Sequence, residues 1–212
     1  MYFVMKNTER PHIANIDFEE FYRHLFEREA ESRNFSDRLE SAPETRKSAK
    51  IIFHQAARLV WLGDRINEIA AGRPALQILF YIIAAETIAK LAYQFEGRGQ
   101  SKAYVHAFFE NLCSEADQET LAHAFCNSPT RRPIGLSEAV DLLYDVRCDV
   151  AHRGMYYVFA LPQDNSDLPL LVNLGDTSVE TNFTLISLRS IVLRGAIRAA
   201  SLIMEGEPLP PI

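Results

Sequence analysis

Cysteine is scarce in this chain, and no two cysteines have the CxxC spacing. The three cysteines are Cys113, Cys126 and Cys148. An odd number of cysteines in helix-like segments argues against a disulfide framework or a zinc site and favours a reducing, cytoplasmic compartment. The histidines outside the motif described below also lack paired ligand spacing; they are His12, His24, His54, His106 and His123. No glycine-rich phosphate loop or nucleophile elbow is present, so we expect neither a metal nor another cofactor.

Basic charge and long hydrophobic runs are also lacking. The formal net charge of -6 argues against a protein that binds nucleic acid over a broad basic face, but it allows a small, local phosphate site. The longest apolar run, residues 75–85, ends at Glu86, well short of the ~20 residues that span a bilayer. Residues 1–7 have no basic region followed by an apolar stretch, so they are not a secretory signal. We expect a soluble protein with no membrane partner.

What the chain does contain is apolar residues at helical spacing. With 212 residues, 48% of them hydrophobic, it is long enough for one well-buried core. The periodicity predicts helices over residues 17–32, 48–69 (with Gly72 as the cap) and 74–95, then shorter helices over 101–113 and 116–126. A further helix begins near Ser137, and a last one covers residues 184–205. The polar segment 34–47, which contains Pro43, is predicted to be a linker.

Residues 155–161, 168–174 and 177–183 are rich in β-branched and aromatic residues and are separated by turn signals, which is typical of strands. The predicted fold class is therefore mainly α: a helical bundle with a small antiparallel β ribbon inserted between the motif helix and the C-terminal helix. We expect one domain over residues 1–212. Its parts are an N-terminal helix and linker (1–47), core helices with the motif (48–154), the β ribbon (155–183) and the C-terminal helix (184–205).

The motif is the pair Arg147 and His152, five residues apart near the end of a predicted helix that Gly154 bounds. Arginine carries a permanent, fork-shaped cation suited to phosphate oxygens. Histidine has the side chain whose ordinary pKa lies nearest neutrality, so it can give or take a proton. Together these two residue types could act on a phosphodiester without a metal.

The surrounding sequence LYDVRCDVAHRG resembles the signature helix of the HEPN superfamily, all-helical domains of which many are metal-independent ribonucleases. The resemblance implies that Arg147 and His152 are catalytic and that two subunits build one composite site, as in a homodimeric toxin or defence hydrolase. Family nucleases commonly have Asn, Asp or His directly after the arginine; this chain has Cys148 there, followed by Asp149. Gly154 stands where the toxin branch has a tyrosine that is a target for nucleotide modification, so that regulation is not assigned.

Several residues could assist the pair. Asp145 and Asp149 lie close enough in sequence to orient or neutralise its charges. Glu86, in the middle of an apolar helix, should find a cation, either Arg147 or Lys90 one turn on, unless it points to solvent.

Two cationic features near the pair remain open. Arg153 is either a phosphate contact or a solvated charge. Three arginines of the last helix are either a basic stripe or an ordinary exposed face; they are Arg189, Arg194 and Arg198.

Two functions are compatible with this pattern. The first is an endoribonuclease that cleaves RNA by 2′-hydroxyl transesterification. The second is a non-catalytic module that binds a nucleotide, RNA or a protein partner. In an ideal α-helix, Arg147 and His152 would lie roughly 140° apart around the axis. In that geometry the arginine could simply pair with neighbouring acids and the histidine with the last carbonyls.

Overall fold

The computed structural model describes residues 16–69, 73–95, 97–128, 130–157, 159–163, 170–174 and 177–212. Helices dominate it, as the predicted fold class requires. They are α1 (Phe18–Arg23), α2 (Glu29–Glu40), α3 (Lys47–Ile69), α4 (Pro74–Ala92), α5 (Ser101–Ala107), α6 (Glu115–Ala122), α7 (Leu136–Cys148) and α8 (Leu185–Glu205). The strands are β1 (Phe125–Asn127), β2 (Leu170–Leu174) and β3 (Thr177–Thr181). The predicted cap Gly72 and the start of the chain, residues 1–7, lie outside the described residues.

Helix α4 is the centre of the bundle. It contacts α3, α5, α7 and α8, and its residues Ile78, Ile82 and Ile88 are fully buried. Its length and composition would also suit a membrane span, but most of the helix is buried inside the bundle. A helix that is apolar around its circumference and enclosed by other helices is a core helix, and α4 places Glu86 in the interior.

The N-terminal region differs from the prediction. Asp17 caps α1 by accepting a hydrogen bond from the Glu20 backbone N–H at 3.0 Å, as expected. However, α1 ends at Arg23, and much of the predicted linker 34–47 is helix α2. The linker prediction was wrong because Phe35 and Leu39, one turn apart in a polar stretch, are both buried and supply the apolar face of α2.

The ribbon is confirmed, with one strand from an unexpected place. β2 pairs with β3 antiparallel, and β1 pairs with the other edge of β3, so the strand order is β1-β3-β2. The predicted strand over residues 155–161 was wrong, since its described residues form a turn and irregular chain. Phe125, predicted to be helical, lies in β1 instead; it is fully buried and contacts Phe159 and Phe183.

Glycines end the two helices that the sequence singled out. Gly154 has φ +66° after the motif, and Gly206 has φ +75° after α8. Both values lie in the left-handed region that glycine adopts without a steric penalty. Thr184 begins α8 by accepting a hydrogen bond from the Ser187 backbone N–H, so the ends of α8 agree with the prediction.

Candidate functional site

The motif lies where α7 changes into a π turn. Helix α7 ends at Cys148, and residues Asp149–Arg153 form a π-helical turn that Gly154 closes. A π turn is held by hydrogen bonds from residue i to i+5, and such turns occur frequently at functional sites. Because a π turn is wider than an α-helical turn, the separation of roughly 140° expected for Arg147 and His152 in an ideal α-helix does not apply to this segment.

Arg147 points towards α4 and forms an interhelical ion pair. Its Nη2 donates to Oε2 of Glu86 at 3.0 Å, while Lys90 Nζ lies 2.7 Å from Oε1 of the same carboxylate. The side chains of Glu86 and Arg147 are only 10% and 16% exposed, and that of Lys90 is 24% exposed. Glu86 thus contacts both of its candidate cations, and Arg147 pairs across helices rather than with the acids of its own helix.

The Glu86 carboxylate is ionised and shared between two cations. Burial would raise its pKa, but hydrogen bonds from Lys90 and Ser101, together with the positive charges of Lys90 and Arg147, bring it below the ordinary value. One carboxylate between two cations leaves a net positive charge. Arg147 also has a buried Nε without a hydrogen-bond partner. An unsatisfied buried donor has a cost in stability.

His152 is exposed at the end of the π turn. Within the described residues its ring has no hydrogen bond, ion pair or ring contact. The hydrogen bond to the last helix carbonyls that the sequence left open is therefore absent. The imidazole is therefore available to a ligand from solvent. Arg147 is thus held inside the bundle, whereas His152 lies at its surface.

The remaining predicted residues lie around this pair. Cys148 is partly buried, with Sγ 4.0 Å from Nη1 of Arg147. The pKa of Tyr144 is raised by burial and by a hydrogen bond with Cys148, and the Tyr144 ring lies 5.7 Å from the Arg147 guanidinium carbon. The position after the arginine is therefore occupied by a thiol that faces the site.

The acids Asp145 and Asp149 do not pair with Arg147 or His152. Asp149 forms an ion pair of 2.9 Å with Arg153. Arg153, a candidate phosphate contact, therefore already has a local partner. The pKa of Asp145 is raised, first by desolvation and then by the charges of Asp141 and Asp149, against the opposing effect of Lys102. Asp141, Asp145 and Asp149 are spaced four residues apart. Asp141 pairs with Lys102 and His106, so among the described residues Asp145 is the one of the three without an ion pair.

The arginines of α8 are not a free basic stripe. Nε of Arg189 lies 2.9 Å from Oδ2 of Asp64, and Nε of Arg194 lies 3.1 Å from Oδ1 of the buried Asp117. Arg189 and Arg194 therefore each join α8 to another helix, whereas Arg198, the third arginine of the expected stripe, is exposed. Sequence reasoning missed both pairs, because the acid lies 77 or more residues earlier in the chain and no local pattern links it to the arginine.

No family model, curated protein or solved structure matches this chain. The geometry of the π turn and of the Glu86 carboxylate is therefore the basis for assigning a function.

Proposed function

We propose that this protein is a metal-independent endoribonuclease of the HEPN type, with Arg147 and His152 as its catalytic groups. The observation that carries the proposal is the π turn at the end of α7, which ends in an exposed His152 five residues after an arginine that Glu86 holds from the neighbouring helix. A rigidly held cation beside an accessible proton donor is what cleavage of a phosphodiester requires.

The proposed reaction is an internal transesterification. The ribose 2′-oxygen forms a bond to phosphorus, the bond from phosphorus to the 5′-oxygen breaks, and the products are a 2′,3′-cyclic phosphate and a 5′-hydroxyl. His152 takes the proton from the 2′-hydroxyl or delivers one to the leaving oxygen. Arg147 stabilises the charge that develops on the phosphorane. Because Lys90 also contacts the Glu86 carboxylate, at 2.7 Å, Glu86 neutralises the positive charge of Arg147 only in part. The remainder is available for this role.

The composite homodimer fits the same chemistry. Deprotonation of the 2′-hydroxyl needs a base, and protonation of the leaving 5′-oxygen needs an acid. Two copies of His152 related by a two-fold axis would supply both at once. A toxin or defence role in the cytoplasm belongs to the same proposal.

The test is cleavage of single-stranded RNA by the purified protein in EDTA. Substitution His152→Ala removes an exposed side chain, so the fold should persist while cleavage is lost. His123→Ala is the matched control, because His123 is also exposed at a helix end and lies outside the motif. Cleavage of RNA but not of DNA of the same sequence identifies the 2′-hydroxyl as the nucleophile.

Arg147 needs a conservative substitution, since its removal would leave Glu86 with Lys90 alone. Arg147→Lys keeps a cation for the carboxylate and removes the fork that contacts phosphate. We expect a folded protein whose cleavage rate falls by at least about tenfold. Undiminished cleavage by both His152→Ala and Arg147→Lys would refute the site.

A non-catalytic module that binds nucleotide, RNA or a protein partner is the second candidate. Its support is the low exposure of Arg147, only 16%, and its ion pair with Glu86, together with Cys148 at the position after the arginine. This candidate predicts ligand binding that weakens in Arg147→Lys, with no RNA turnover by the wild-type protein.

A further inference from the structure

The turn after Gly154 exposes two consecutive tyrosines. Tyr156 is 40% exposed and Tyr157 is 71% exposed, and within the described residues the other large exposed apolar side chains are isoleucines. The two rings are nearly perpendicular, with an interplanar angle of 84° and centroids 5.9 Å apart. Adjacent exposed aromatic rings are a candidate binding surface, because clustered exposed apolar groups mark interaction sites more often than isolated ones.

This tyrosine pair lies beside a cation. The guanidinium carbon of Arg73, the residue that precedes α4, is 5.8 Å from the centre of the Tyr156 ring. Arg147 contacts Glu86 on the same helix, 13 residues further along the chain (86 minus 73), which corresponds to ~20 Å along the helix axis. His152 lies between Arg147 and Tyr156 in sequence. Tyr156 therefore lies near the start of α4, ~20 Å along the helix from the level of Glu86.

We infer that Tyr157, with Tyr156 and Arg73, is a base-stacking platform that holds single-stranded RNA near the start of α4, away from the scissile bond. This inference rests on the proposed function and names the form of its substrate. Aromatic side chains stack on unpaired bases with little dependence on sequence, and a nearby arginine adds attraction to phosphate. Arg73 lies against Tyr156, whereas Tyr157 is the more exposed ring, so a base would stack mainly on Tyr157.

A second copy of the chain is a weaker occupant for this surface. Two tyrosines supply at most about 500 Å², so they would form only part of the roughly 800 Å² per partner of a stable interface and do not define one by themselves. The surface also carries charge, with the Arg73 guanidinium against one ring. Cations beside aromatic rings complement a ligand that has both anionic and flat apolar parts, which describes an unpaired nucleotide.

The experiment measures binding of a fluorescent single-stranded RNA oligonucleotide by anisotropy, in the His152→Ala background so that the RNA stays intact. Tyr157→Leu keeps an apolar side chain but removes the ring, and we expect the affinity to fall by roughly 5- to 150-fold. Tyr157→Phe keeps the ring and should bind within about twofold of its parent. Ile186→Ala removes another exposed apolar side chain, on α8, and should have no effect. Tyr156→Leu should weaken binding less than Tyr157→Leu.

The outcomes separate this inference from the proposed function. Unchanged RNA binding by Tyr157→Leu overturns the platform even if the wild-type protein cleaves RNA. Ring-dependent binding without cleavage by the wild type supports the platform and refutes the nuclease. A loss of dimer in sedimentation, with RNA affinity unchanged, would identify the tyrosines as a contact between copies and would also overturn the platform.

Discussion

The Glu86 ion pair allows a quantitative test of how the site is held. In the substitution Glu86→Gln the amide has nearly the same shape as the carboxylate but no charge. Lys90 and Arg147 would then face each other with no anion between them, in a place where their side chains are only 24% and 16% exposed. Removing one partner of a buried ion pair is costly because the remaining charge stays desolvated.

The expected loss in the free energy of unfolding follows from how far these side chains are exposed to solvent. Loss of one partner of a fully buried pair costs about 3–5 kcal/mol, and the partial access of Lys90 to water places Glu86→Gln near the lower end, at about 3 kcal/mol. Arg147→Met should cost only about 1–2 kcal/mol, because Glu86 keeps its hydrogen bonds from Lys90 and Ser101. Lys90→Met breaks a partly exposed pair one turn apart and should cost about 0.5 kcal/mol.

The assay is thermal or urea unfolding of the single variants and of the double variant Glu86→Gln, Arg147→Met. Because each kcal/mol shifts the Tm of a domain of this size by about 2–4 °C, Glu86→Gln should lower it by roughly 6–12 °C. The double variant should be more stable than the sum of the single effects predicts, by about 0.5–3 kcal/mol. Additive effects, within about 0.5 kcal/mol, would mean that the two side chains do not act as a pair and would refute this account of the site.

Three further predictions concern the bundle. Burial tends to lower the pKa of His106, but hydrogen bonds to two carboxylates raise it overall. The stabilisation that protonated His106 contributes is complete below about pH 6.5 and is lost as the pH rises through the raised pKa. His106→Gln should therefore destabilise the protein more at acid than at alkaline pH in urea unfolding. Desolvation and then the charge of Arg189 lower the pKa of His24, so the protein should lose stability as the pH falls below the ordinary histidine value, and His24→Asn should reduce that loss in the same titration. A Cβ at Gly195 would collide with the fully buried ring of Phe108; Gly195→Ala should therefore cost about 1–3 kcal/mol by thermal unfolding.

Long elements with a strong apolar period were predictable, and short or non-local ones were not. Helices α3, α4 and α8 follow from their apolar spacing, and Gly154 and Gly206 follow from the left-handed cap that a helix end favours. Strand β1 has three residues and pairs with β3 more than 50 residues later, as in Phe125 with Thr181. Local propensity therefore cannot indicate it.

The residues of the candidate site can be proposed from the sequence, but their geometry cannot. Arg147 and His152 are recognisable by type and spacing, and Glu86 is recognisable as an acid inside an apolar helix. The π turn differs from an α-helix only by one residue in its hydrogen-bond register, and no residue type in Asp149–Arg153 marks it. The exposed tyrosines were missed because Tyr and Phe favour strands, and residues 155–161 contain both.

The shared carboxylate also bears on the proposed catalytic role of Arg147. A guanidinium paired one-to-one with a buried carboxylate has little charge left for a phosphate, whereas Glu86 is divided between Lys90 at 2.7 Å and Arg147 at 3.0 Å. If this division supplies the catalytic charge, Lys90→Met should slow RNA cleavage, although Lys90 itself would not touch the substrate and its loss costs little stability. A Lys90→Met protein that is folded and cleaves RNA at the wild-type rate would show that Arg147 does not depend on its neighbour. Slower cleavage that Lys90→Arg restores would show that the second cation sets the charge available at Arg147.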